Sequence, residues 1–126
     1  MSDSSFWGYH LSIDASGADL ASISNPVKIA AFSKDLVERI QMEAFGPPHI
    51  VRFGEGNKEG ITLVQLISTS NIMCHFVESD GTNQGTGSYY FDCFSCKTFD
   101  INTVIDICRE YFGNKSERVY YFVRQA

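Results

Sequence analysis

Two strongly β-prone runs, ITLVQLI at 61–67 and IMCHFVE at 72–78, are separated only by Ser68-Thr69-Ser70-Asn71. Strands joined by so short a polar turn pair antiparallel, as a hairpin or a sharp corner around Ser70. Any fold for this chain must be built around that pair. On its N-terminal side lies a short strand candidate, HIVRF at 49–53, followed by a glycine-rich connection, GEGNKEG at 54–60. On its C-terminal side the polar stretch DGTNQGTGS at 80–88 reads as another hairpin loop, leading into a strand at 89–95. In that strand Tyr90, Asp92 and Phe94 point one way, and Tyr89, Phe91, Cys93 and Ser95 the other.

The ends of the chain supply the remaining elements. Trp7, Tyr9, Leu11 and Ile13 alternate with small or polar residues, the period of a half-buried strand at 7–14. Residues 15–24 read as a loop. Asn25-Pro26 is a helix start, with Asn25 as cap and Pro26 in the first turn, and the helix is expected to run to about Met42, before Gly46-Pro47-Pro48. A second helix is capped by Asp100 or Asn102, carries Val104, Ile105, Cys108, Tyr111 and Phe112 on its apolar face, and ends at Gly113-Asn114. RVYYFVR at 118–124 is a last strand. The order β-α-β-β-β-β-α-β predicts an α+β two-layer sandwich, a mainly antiparallel sheet with two helices on one face. At 126 residues, with no linker or repeat, the chain is expected to be one domain.

Composition excludes several functions. Ten Lys+Arg against fifteen Asp+Glu leaves a net charge of −5, the wrong sign for nonspecific nucleic-acid binding. No apolar run approaches the roughly 20 residues of a membrane span. MSDSSFWGYH has neither the basic nor the apolar region of a signal peptide, so a cytoplasmic protein with reduced cysteines is expected.

Few residues carry candidate chemistry. Cys93-x-x-Cys96 suggests a metal, but zinc needs two more ligands, and Cys74 and His75 point to opposite faces of their strand; no metal is expected. The 54–60 loop lacks the pattern of a phosphate loop, and its two glutamates would repel phosphate. Ser70 stands out by its setting in the turn, with His75 five residues on and Cys96 after a strand of the same sheet.

The run S-T-S-N-I-M-C-H-F-V-E, followed by Y-F-D-C-F-S-C, resembles the core of the small prokaryotic S-adenosylmethionine decarboxylases. Their pattern is Glu-Ser-His-φ-x-φ-His-Thr-Trp-Pro-Glu, then a strand ending in Phe-Thr-Cys. Gly8-Tyr9-His10-Leu11 is similar to the family's G-x-H-L start. The resemblance implies a proenzyme that makes its own cofactor. Ser70 attacks the preceding carbonyl, the Thr69–Ser70 bond is cleaved into 1–69 and 70–126, and Ser70 becomes a pyruvoyl group that forms a Schiff base with the substrate amine. It further implies that His75 and Thr62 act in processing, that Cys96 returns a proton to the substrate carbon, and that Glu78 helps fix the substrate. The implied assembly is a homodimer of processed protomers, feeding spermidine and other polyamine synthesis.

The sequence departs from that pattern at three places: Thr69 replaces Glu, Asn71 replaces His, and Phe76-Val77 replaces Trp-Pro. Phe53 and Phe76 are the expected slot for the adenine. An altered pocket would suit a basic amino acid, and Glu55, Glu59 and Glu78 would attract arginine or ornithine. The reading from another class is an unprocessed, non-enzymatic relative that binds a nucleoside or polyamine.

Overall fold

Strand alternation gives the central sheet two unlike faces, one covered by helices and one open. The computed structural model describes residues 5–79 and 84–126. The elements are β1 (Gly8–Asp19), α1 (Leu20–Ile23), α2 (Pro26–Arg39), β2 (His49–Phe53), β3 (Gly60–Ile67), β4 (Ser70–Val77), β5 (Thr86–Ser95), α3 (Ile101–Phe112) and β6 (Ser116–Arg124), with a 3-10 turn at Gly56–Lys58. The strands form one antiparallel sheet in the order β2-β3-β4-β5-β1-β6. This is the α+β sandwich expected from the sequence.

Both long helices start where the capping residues require. Asn25 Oδ1 accepts from the Val27 and Lys28 amides at 3.0 and 3.3 Å, with Pro26 in the first turn. Asp100, not Asn102, caps α3, accepting from the Asn102 and Thr103 amides. Gly113 ends α3 in the left-handed region at φ 59°. Helix α2 stops at Arg39, short of the expected Met42, because Gln41 itself takes a left-handed φ of 60°.

The covered face holds the core. Leu11, Ile13, Leu63, Phe76 and Phe91 from the strands meet Phe32 and Leu36 of α2 and Phe112 of α3, all essentially without exposure. The Phe112 ring lies 4.8 Å from Phe32 and 4.8 Å from Phe76. Burying each such side chain contributes roughly 1.5–3 kcal/mol.

Several further boundaries differ from the sequence reading. Residues 15–24 are not a loop: β1 continues to Asp19 across a bulge between Ala15 and Ala18, where Gly17 has φ +68°, and α1 follows. Ala15 and Ala18 are buried, but residues so small carry no alternation that a sequence reading detects. β6 likewise begins at Ser116, two residues early. Residues 80–83 of the expected loop at 80–88 lie outside the described residues; its last three, Thr86 to Ser88, already belong to β5, which therefore starts before the expected Tyr89. No helix among the described residues is long and apolar enough to cross a membrane.

Candidate active site at the turn between β3 and β4

The turn is as tight as the sequence implied. Ile67 pairs with Ser70, leaving Ser68 and Thr69 as its tip, and Ser70 pairs on its other side with Ser95 at the end of β5. Ser70 has φ +156°, a backbone value that L-residues rarely adopt. Of the non-glycine residues described, only Ser70 and Gln41 have positive φ. Strain therefore sits on the residue proposed to attack its neighbour.

The acyl half of that peptide bond is held on the other side. The Cys96 amide donates to the Thr69 carbonyl oxygen at 3.0 Å. The Thr69 hydroxyl accepts from Ser95 Oγ at 2.8 Å and lies 3.4 Å from Met42 Sδ. Asn71 Nδ2 donates to Ser70 Oγ at 3.2 Å. A donor on the Thr69 carbonyl polarises the carbon that Ser70 Oγ would attack, and a strained Ser70 brings the hydroxyl out of its relaxed position. Together they suit an acyl shift from nitrogen to oxygen.

Cys96 lies just beyond β5 and is exposed, whereas Cys74, Cys93 and Cys108 are buried. Burial raises the pKa of those three thiols, that of Cys93 to about 12. They are neutral core groups, and Cys96 is the one cysteine free to exchange a proton with a ligand. Cys93 is buried and Cys96 exposed, and among the described residues no three His, Cys, Asp or Glu side chains gather into a cluster able to hold a metal ion.

His75 and Thr62 are brought together, but not to Ser70. They face each other across β3 and β4 on the open face, with Thr62 Oγ1 and His75 Nδ1 2.5 Å apart. His75 Nε2 donates to the Lys58 carbonyl at 3.1 Å, so in the neutral ring Nδ1 accepts the Thr62 proton. His75 lies five steps along β4 from Ser70, about 16 Å at 3.3 Å per residue. Phe53 packs on His75 with ring centres 5.5 Å apart and is exposed.

The expected Phe53–Phe76 slot does not exist. Phe76 has no exposure and lies on the helix-covered face, opposite His75 and Phe53, because alternate residues of β4 face opposite ways. Glu78 lies beyond the end of β4, with its carboxylate held by both terminal nitrogens of Arg52. That guanidinium keeps the Glu78 carboxyl below its usual pKa. Glu59 lies 3.9 Å from the same guanidinium, so two of the three glutamates expected to attract a cationic substrate already have a cation.

Two residues escaped the sequence reading. Ser95 contacts Thr69 from the position where the family motif has threonine before its cysteine, and a retained hydroxyl was the available signal. Trp7, the only tryptophan, is exposed and stacks on Phe94 with ring centres 5.7 Å apart, at the same end of the sheet as Ser70.

Comparison with known proteins bears on the family and the fold. The family model for S-adenosylmethionine decarboxylase matches residues 9–125. Among solved structures, the chain is similar to the crystal structure of the adenosylmethionine decarboxylase from Aquifex aeolicus VF5, with a TM-score of 0.72 and 18% identity over 96% of this chain and 92% of that one. At that identity the likeness speaks for the fold. No curated protein matches. The class is thus that of the carboxy-lyases. With nearly its whole length matched, the chain belongs to the S-adenosylmethionine decarboxylase family.

Proposed function

We propose that the chain is made as a proenzyme that cleaves itself between Thr69 and Ser70, and that the processed protein works as a cytoplasmic homodimer decarboxylating S-adenosylmethionine for polyamine synthesis. The observation that carries this reading is the pairing at one peptide bond of a carbonyl on the Cys96 amide with a serine at φ +156°. In the first step the bond from Ser70 Oγ to the Thr69 carbonyl carbon forms, the bond from that carbon to nitrogen breaks, and the hydroxyl proton ends on the nitrogen. Loss of the Ser70 Cα proton and cleavage of the Ser70 Cβ–Oγ bond then release Thr69 as a carboxylate and leave a dehydroalanine, which takes up water and loses its nitrogen as ammonia to become a pyruvoyl group. A pyruvoyl group at position 70 supplies the electron sink for the departure of CO₂. Cys96, exposed beside the turn, then returns a proton to the substrate carbon.

The placement of the processing pair within one chain supports the homodimer. His75 and Thr62 are needed to handle the Ser70 Cα proton, yet they lie about 16 Å along the sheet from their own Ser70. The open face carries Val51, Phe53, Leu66, Met73, Tyr90, Tyr120 and Phe122, all at least 42% exposed, an apolar area suited to packing against a second sheet. Antiparallel stacking of two such faces would bring His75 of the partner subunit over Ser70. Exposed Phe53 and Trp7 are then the aromatic surfaces available to an adenine, in place of Phe76. Glu78 would reach a substrate only by leaving Arg52.

Intact-protein mass spectrometry tests the reading. Two chains meeting at residues 69 and 70, the second starting with a pyruvoyl group, are expected from the native protein, and one whole chain from Ser70→Ala. CO₂ release by an intact chain would overturn the pyruvoyl reading. An intact, inactive chain that binds nucleosides or polyamines would favour the non-enzymatic relative.

A further inference from the structure

We propose that Ser95 is a positioning residue for self-cleavage, acting on the scissile bond through a hydroxyl pair with Thr69; this rests on the self-processing reading above. Ser95 has no exposure and closes β5, in register with Ser70 on one side and with Tyr9 of β1 on the other. Its hydroxyl accepts from the Lys97 amide at 3.0 Å and donates to Thr69 Oγ1 at 2.8 Å, and Thr69 Oγ1 in turn points its proton at Met42 Sδ, 3.4 Å away. The directions are consistent from donor to acceptor along the whole chain of contacts, so each bond polarises the next. The following residue, Cys96, holds the Thr69 carbonyl by its amide.

Residues 95 and 96 therefore grip Thr69 at two points, its side chain and its carbonyl oxygen. That grip fixes the acyl half of the peptide bond to the rigid end of β5. The strain is left on the other half, at Ser70 φ, where rotation carries the attacking hydroxyl. Fixing one reactant while the other moves toward it is how orientation lowers a barrier, and a displacement of about 1 Å can lose about 100-fold in rate. A buried hydroxyl without a partner is costly, which binds the two side chains into a pair. The geometry also accounts for Thr69 where the family motif has glutamate: a β-hydroxyl reaches Ser95 in the covered layer, and a glutamate carboxylate would have to be buried beside Met42 to do so.

The test is the rate of cleavage of the 69–70 bond, followed by intact mass in freshly purified full-length protein. Thr69→Val and Ser95→Ala are each expected to slow cleavage by about 10- to 100-fold. Thr69→Ser, which keeps the hydroxyl, is expected to cleave at close to the native rate, a rescue that a purely structural role for the methyl-bearing side chain would not give. The double variant Thr69→Val with Ser95→Ala is expected to be no slower than the worse single one, because both remove the same contact. Native-rate cleavage by Thr69→Val, or equal slowing by Thr69→Ser and Thr69→Val, would overturn the proposal while leaving self-processing intact. Position 69 is at a turn tip and tolerates these changes even if Ser95→Ala fails to fold. A native protein that never cleaves would instead sink the self-processing reading, and this proposal with it.

Discussion

The Cys96 amide donates to the carbonyl oxygen of Thr69 at 3.0 Å, so the residue expected to supply a proton in turnover also touches the scissile bond through its backbone. In the proposed mechanism the side chain and backbone of one residue would serve two steps, and variants can separate them. Cys96→Ala keeps the amide; it is expected to cleave normally and to lose decarboxylation. Cys96→Pro removes the amide proton and is expected to slow cleavage by about 100-fold, the usual loss for one such donor. Intact mass read against CO₂ release distinguishes the two. Normal turnover by Cys96→Ala would remove Cys96 from the proton-return step.

A second prediction concerns the division of labour between subunits. Ser70→Ala and His75→Ala chains are each expected to stay whole when made alone. Made together, they are expected to form mixed dimers in which the His75→Ala chain keeps its own Ser70 and receives His75 from its partner. Cleavage of that chain, and only that chain, is expected by mass spectrometry. Failure of the mixture to cleave would mean that His75 acts within its own chain or not at all.

Phe76 and Phe53 make a contrasting pair. Phe76→Ala is expected to destabilise the fold by about 3–5 kcal/mol, because it opens a cavity against Phe112 and Tyr89. Phe53→Ala, on the open face, is expected to leave the urea midpoint nearly unchanged and to raise KM. Equal stability loss in both would contradict the assignment of the two faces.

The Arg52–Glu78 pair sets a weak pH dependence. The carboxyl of Glu78 is held below its unfolded pKa, first of all by the Arg52 hydrogen bonds, so its contribution is present above the unfolded value of about 4.3 and is lost as pH falls through the folded value. Glu78→Gln is expected to lower Tm slightly at neutral pH and to match the native protein once the pH has fallen below the folded value. The pair is largely solvent-exposed, so the effect is small. A Tm difference that persists unchanged into acid would show that the variant acts through packing instead.

Much of this protein was determined along the chain alone. ITLVQLI and IMCHFVE could only be adjacent antiparallel strands, and Asn25-Pro26, Asp100 and Gly113 place the helix ends because capping depends on residues within a few positions of each other. The alternation of Tyr89 to Ser95 separated the side chains that share one face from those that share the other, since a strand's period is two whatever it packs against. The Ser70, His75 and Cys96 motif identified the family for the same reason: its spacing is local. The bulge at Ala15–Ala18 was illegible, because alanine and glycine buried by their neighbours look the same as a loop. Only the tertiary structure could separate Phe76 from Phe53, put Ser95 on Thr69 and set His75 at the far end of β4 from Ser70. Those relations depend on strand register and on which face the helices cover, and both are decided by packing among segments far apart in the chain.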